Sequence, residues 1–467
     1  MVFNALKREK SFYIELSKFA WPIVLQNLLS TSAGLVDTFM VGGLGQDALA
    51  AVSLANTPFF VSMLMIFGLQ SGGAVLISQY WGKRDTRTIS RIIGTGWIAA
   101  VALNTVFSIV MFRFPVQAMG IFTNNETLLA ISARYCKAAA FSQVFNAFTV
   151  IYIGALRSCE SPRLGTLVMG VSVSVNIIFN YLLIYGKLGF PALGVEGAAL
   201  ATLLSRASEA AIVVLHILFF SKKNNPLPLY PRYLLRPGKM IIRDYIRYTG
   251  PVILNETFWS VGVSLYIVVY GHMAASGDIM AAHSLTANIE RFATIIIFAI
   301  ANCTGVFVGK AIGAGQSKSE VYALGKTFLV LVILLGLISG AMLIGALFFI
   351  VEPFIFPFMN FTEEARQICV YMTVVIGIIM ACRAINIILV VGVFRGGGDV
   401  NFGLFLDTGG IYLWALPAAA LAAFVFKLEI WWVFLFVISE EPIKMLIGYL
   451  RFKSGRWVGN VTREMGD

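Results

Sequence analysis

The sequence predicts an all-α polytopic membrane protein with twelve transmembrane helices in two pseudo-symmetric six-helix bundles. Of its 467 residues, 58% are hydrophobic and only 13% charged, far from the balance of a soluble domain. A helix that crosses the hydrocarbon core needs about 20 mostly apolar residues, and twelve such stretches can be read, six per half. The chain is also written twice. WPIVLQN (Trp21–Asn27) returns as GPVILNE (Gly250–Glu256), ALAAVSLAN (Ala48–Asn56) as IMAAHSLTAN (Ile279–Asn288), and ALRSCESPR (Ala155–Arg163) as VFRGGGDVN (Val393–Asn401). The offset stays near 230 to 240 residues, about half the chain, so both halves should share one fold.

In order, the apolar stretches are 14–40, 48–76, 90–112, 128–154, 164–186 and 194–220, then 246–272, 280–308, 324–350, 366–394, 403–426 and 430–450. Lys7, Arg8 and Lys10 precede the first. That run is too long for a signal-peptide core and lacks a cleavage site, so it reads as a retained helix. Pro22 and Pro251 lie inside the first and seventh stretches, where proline removes a backbone hydrogen bond. Pro22 is therefore a candidate helix-bending position, with a static kink as the alternative. The 43 glycines suit close packing between membrane helices. The domains expected are a bundle at 1–220, a polar, Pro-rich and basic linker at 221–243, and a bundle at 244–467.

The formal charge of +11 could suggest nucleic acid, but its placement argues against that partner. Lys and Arg gather at the N-terminus, at Lys83–Arg91, through Lys222–Arg247, at Lys310–Lys326 and at Arg451–Arg463, in alternate loops. The opposite loops carry Glu126, Asp278, Glu352, Glu363 and Glu364. By the positive-inside rule this is a multi-pass plasma (inner) membrane protein, both termini cytoplasmic, with the lipid bilayer as its surroundings. The five cysteines and three histidines show no paired or metal-binding spacing. No zinc, nucleotide or hydrolase motif is present, so no cofactor and no enzymatic activity are expected.

Chemistry is expected from polar groups inside the spans. Asp37 stands alone in an apolar helix, where an ionisable group is costly and usually faces a wet cavity or a cation. Asn176 and Asn180 are four apart and share one face of the fifth span; Thr202 opens the sixth. One carboxylate, two amides and a hydroxyl form a hard-oxygen set for a proton or sodium, the only metal expected. The competing reading is interhelical hydrogen bonding, which Asn and Thr also serve. In the second half, Pro22 aligned with Pro251 sets Tyr266 opposite Asp37. Glu256, Glu290 and Asp407 are candidates for a second cation or substrate site there, and an internal ion-pair network, for example Arg383 with Glu290, is the alternative.

The phrases WPIVLQN, GLVDTFMVGGLG, ALAAVSLA, ISQYWGKRD, ALRSCESPR, NIIFNYLLIYGKLGFPALGVEGAALAT and SGRW, spread over about residues 12–457, resemble the multidrug and toxic compound extrusion (MATE) family. The resemblance implies two six-helix bundles around a central cleft, and export of drugs or other organic cations by exchange for protons or sodium. It also implies a coupling-ion site of a helix-1 Asp, an Asn and an Asn or Asp in helix 5, and a helix-6 Thr, matching Asp37, Asn176, Asn180 and Thr202. Asn180 stands where many relatives carry Asp, so one carboxylate remains rather than two. Glu256 falls where some members place a helix-7 carboxylate. The function expected is a monomeric, cation-coupled antiporter of small organic cations, working by alternating access. The alternative is a flippase of lipid-linked or polysaccharide precursors, whose cleft should be basic; a polytopic enzyme would need an aspartate-rich or polar catalytic motif.

Overall fold

The computed structural model describes residues 6–220, 227–358 and 361–464, and among them all regular structure is helical. The first half contains α1 (Lys10–Gly42), α2 (Gln46–Gly82), α3 (Thr86–Arg113), α4 (Glu126–Ala139, continued after a 49° bend by Ser142–Ser158), α5 (Arg163–Tyr185) and α6 (Val195–Phe220). The second contains α7 (Lys239–Gly271), α8 (Ser276–Gly313), α9 (Lys318–Ile355), α10 (Glu363–Phe394), α11 (Val400–Val425) and α12 (Ile430–Ile438 with Glu440–Lys453). Ten of these are individually long and apolar enough to cross a membrane, and the bent α4 makes an eleventh. Helix α12 is divided at Ser439 and carries buried Glu440, Glu441 and Lys444, which shortens its apolar run. Every predicted stretch falls on a helix. Thr202 does not open the sixth: α6 begins at Val195, so Thr202 lies about two turns inside it.

The repeat is visible in the backbone as well as the sequence. Left-handed residues recur at matching places: Gly45 (φ 110°) and Ala275 (φ 56°) before α2 and α8, and Arg84 (φ 61°) and Gly315 (φ 76°) after them. Glu160 (φ 59°) and Gly398 (φ 80°) follow α4 and α10. The same turns therefore close equivalent helices in both halves, although at each of these positions only one copy has glycine.

By contacts the chain forms two compact units, Trp21–Ile253 and Met1–Ala20 with Leu254–Asp467, here called the N-terminal and C-terminal units. The dividing points fall beside Pro22 and Pro251, inside α1 and α7. Residues 221–226 of the predicted linker lie outside the described residues. The rest is no solvated tether: Leu227 and Leu229 are buried, the Tyr230 amide donates to Ser90 Oγ at 3.3 Å, and Arg91 stacks 4.8 Å over the Tyr233 ring. The apolar residues of this Pro-rich segment cover α3.

Within the C-terminal unit the motif SGRW closes one end. Trp457 is fully buried, stacks on Phe452 at 5.6 Å and donates from Nε1 to the Phe452 carbonyl at 3.0 Å. Helices α9 and α10 approach backbone to backbone through Gly336, Gly340 and Gly377, because a Cβ on Gly340 would run into the Gly377 carbonyl oxygen. In lipid there is little hydrophobic drive between helices, so such small-residue contacts carry the packing. Gly340→Ala is expected to destabilise the protein by about 1–3 kcal/mol, read as a lower thermal midpoint in detergent. Gly345→Ala, which meets open space on the same helix, should leave the midpoint unchanged or slightly raised. Equal midpoints for the two variants would contradict the packing assigned to Gly340.

Candidate functional site

The N-terminal unit assembles three of the four predicted groups directly. Asn180, fully buried on α5, donates from Nδ2 to Asp37 Oδ1 on α1 at 2.8 Å and to Asn176 Oδ1 one turn away at 3.2 Å. Both amide hydrogens are thus spent on oxygens, and Asn180 Oδ1 has no partner. Thr202, on α6, donates to its own helix at Ala198 O, 3.1 Å away, and is hydrogen-bonded with the Tyr135 phenol of α4. Asp37, Asn176, Thr202 and Tyr135 all line one cavity of about 320 Å³. Its walls include Phe59, Phe60 and Met63 of α2, giving an apolar body with a few convergent polar groups, the usual character of a ligand site.

Two charged residues in this region escaped the sequence reading. Arg206 also lines the cavity, and its NH1 meets Glu209 Oε1 at 2.7 Å. Glu209 is buried and takes a very short hydrogen bond from Ser172, which in turn contacts Ser205 at 2.9 Å. The available signal was an opposite-charge pair three residues apart within an apolar span.

Pro22 sits in a continuous α1. Its carbonyl accepts from Thr166 at 3.0 Å, while Gln26 donates to the Pro162 carbonyl at 3.0 Å and accepts from Arg157 at 3.0 Å. The turn after the proline is therefore tied to the start of α5. The repeated loop does the same with charge: Arg395 NH2 holds Glu256 at 2.6 Å.

The three acids proposed for a second site are not gathered in one place. Glu256 is taken by Arg395, whose side chain is only 6% exposed. Glu290 lines a cavity of about 90 Å³ with Arg383, Tyr266, Glu440 and Glu441, and pairs with Arg383 at 2.7 Å. Asp407 meets Lys444 at 3.6 Å and accepts from Asn255 at 3.2 Å. Lys444 also meets Glu440 at 3.5 Å, Arg383 meets Glu441 at 3.6 Å, and Asn386 donates to Glu441 at 2.6 Å. Tyr266, which replaces Asp37 in the repeat, reaches Glu440 at 3.4 Å. Glu290, Asp407, Glu440 and Glu441 share Arg383 and Lys444 in one network of four acids and two bases, of which α12 supplies Glu440, Glu441 and Lys444. Sequence reading did not single these out, although they fall inside the stretch 430–450.

Gly410 makes room for this network: a Cβ there would lie 2.7 Å from Lys444 Cδ. Lys444→Met is expected to cost about 3–5 kcal/mol, since removing one partner leaves buried carboxylates uncompensated. Adding Glu440→Gln should recover part of that loss, with a coupling energy of about 0.5–3 kcal/mol. Denaturant or thermal unfolding in detergent measures both; strictly additive effects would contradict a shared network.

The MatE family model matches residues 22–182. A probable multidrug resistance protein NorM of Thermotoga maritima is 24% identical over 95% of this chain and 92% of its own length. The probable multidrug resistance protein YoeA of Bacillus subtilis is 23% identical over 96% and 95%. Among solved structures, a MOP superfamily transporter from Pyrococcus furiosus superposes with a TM-score of 0.84, covering 94% of this chain and 95% of its own at 18% identity. An outward-facing multidrug resistance MATE family transporter gives 0.83 at 18% identity, covering 95% and 96%. These two share the fold. The family match falls on the part of the chain that holds Asp37, and the two relatives are alike to it over nearly its whole length, so the chain is similar from end to end to multi-pass transporters of the MATE family.

Proposed function

We propose that this protein exports drugs and other small organic cations from the cytoplasm in exchange for an inward-moving proton, with Asp37 as the group that proton and substrate contest. The observation that carries it is the lone carboxylate at the wall of an apolar cavity, held by an amide whose own oxygen is orphaned. Ionised, Asp37 accepts from Asn180. Protonated, it becomes a donor, and the Asn180 amide oxygen becomes its natural acceptor once the amide turns. A buried acceptor without a partner costs about 1–3 kcal/mol, and the protonated arrangement relieves that deficit. The network thus has two states of opposite hydrogen-bond polarity, and a cation that needs the ionised form favours one of them.

Sodium fits less well. Asp37 Oδ1 and Asn176 Oδ1 each already accept an Asn180 N–H, so a hard cation would have to share oxygens that it prefers to have free. The relatives named as multidrug resistance proteins support drugs as cargo. Against a precursor flippase, each base at these cavities is matched by a carboxylate, so no cluster of free positive charge awaits a pyrophosphate. The loop charges support an orientation with both termini cytoplasmic.

Efflux in energised inverted vesicles tests this. Transport by the wild type is expected to collapse with a protonophore in sodium-free buffer, and Asp37→Asn should abolish coupled efflux while the protein remains folded. Asn180→Ala and Thr202→Ala should weaken ion dependence, whereas Glu256→Gln should keep it. Normal pumping by Asp37→Asn, or coupling lost in Glu256→Gln alone, would place the coupling group outside the N-terminal unit; dependence on a sodium gradient would replace the proton.

A further inference from the structure

We infer that the stretch from Pro231 to Arg247, which leads into α7 and forms its first turns, is a docking surface for anionic phospholipids.

One face of this stretch is fastened to the N-terminal unit. Leu227 and Pro237 are buried, and the Tyr230 amide donates to Ser90 Oγ. A Cβ on Gly94 of α3 would run into the Leu234 carbonyl, so the backbone lies directly on that helix. The Arg91 guanidinium covers the Tyr233 ring from the same side. The segment is therefore held in one orientation before any ligand arrives.

The other face mixes grease with charge. Leu235 is 80% exposed and Ile246 63%, with Met240 and Ile242 also exposed. Among them stand Arg232, Arg236, Lys239 and Arg243, all exposed. On α7, Lys239, Arg243 and Arg247 recur every fourth residue, and Ile242 and Ile246 follow the same spacing beside them. The membrane-spanning α7 thus begins with a basic stripe next to an apolar one. In water the apolar residues would be wasted. At the border of a leaflet they enter the acyl region while the bases meet phosphate.

The protein itself does not neutralise these bases. Among the described residues Arg232, Arg236, Lys239 and Arg243 form no ion pair. Asp244, the one acid between Pro231 and Arg247, is only 3% exposed. Asp85, in the neighbouring basic loop, is spent on capping α3 through the Thr88 amide at 2.9 Å. A soluble anion would answer the charges and leave Leu235, Met240 and Ile246 in water. A ligand with an anionic head and apolar chains answers both. Its seat is the entry of the helix that carries Pro251.

Titration of the purified full-length protein in detergent with fluorescent short-chain phosphatidylglycerol, and with phosphatidylcholine of the same chains, tests this. The wild type should bind the anionic lipid roughly tenfold more tightly. Replacing Arg232, Arg236 and Lys239 together by Gln should bring the two affinities within about twofold, leaving that for phosphatidylcholine unchanged. Removing the same charge elsewhere, with Lys318→Gln, Lys453→Gln and Arg456→Gln, all exposed positions, should keep the preference. Glycerol phosphate should not displace the bound lipid. A preference that survives the first triple variant, or falls equally in the second, overturns the inference, as does displacement by glycerol phosphate. Should the first variant fail to fold, salt decides on the wild type: screening should erode the preference, and a preference indifferent to salt overturns the inference.

Discussion

A carboxylate in a membrane bundle must be compensated or it will not stay there, and here the compensation is a single side-chain amide. Asn180 brings α5 to α1 by donating to Asp37 at 2.8 Å, and its second hydrogen fixes Asn176. That choice has a consequence. An amide that gives both hydrogens to oxygens is left with an oxygen of its own, and in this packed position nothing answers it. Asp37 is therefore hydrogen-bonded without a countercharge, and Asn180 is left incomplete in its own hydrogen bonding. A group that can change from acceptor to donor, as Asp37 does on taking a proton, suits that place better than one that cannot.

The two copies of the repeat have settled the same geometric problem differently. The turn after the helix proline is clamped in both by an arginine at the end of the fourth or tenth helix: Arg157 on Gln26, Arg395 on Glu256. Neutral against charged, the clamp is the same. At the position of Asp37 the copies part, since Tyr266 takes it and reaches toward Glu440. The acids of the C-terminal unit face Arg383 and Lys444 in a network closed upon itself around a small cavity. Buried pairs of this kind contribute little net stability but cost much when broken. The C-terminal acids share their bases, whereas the carboxylate of the other unit has no basic partner among its hydrogen bonds.

The fold was legible because membrane helices announce themselves by apolar length and the repeat doubled every observation. Asp37 stood out by isolation, and Asn176 with Asn180 by their spacing of four. What no spacing rule could supply was the contact between Asp37 and Asn180, far apart in the chain, or the arrival of the Tyr135 phenol beside Thr202. Arg206 and Glu209 were overlooked because an opposite-charge pair on one helix face commonly belongs to solvent; only the packing of Ser172 behind Glu209 reveals its depth. Glu256 was grouped with Glu290 and Asp407 by residue type alone. Its true partner lies in the glycine-rich loop RGGGD, whose arginine read as part of a turn.

Proton exchange on ligand binding tests the role of Asp37 most directly. Titrating an organic cation into the purified protein, in buffers of different ionisation enthalpy and over a range of pH, reports protons released per ligand bound. Competition at Asp37 predicts that the wild type releases a proton as the cation binds, and that Asp37→Asn releases none. Binding without proton release by the wild type, or undiminished release by Asp37→Asn, would contradict it.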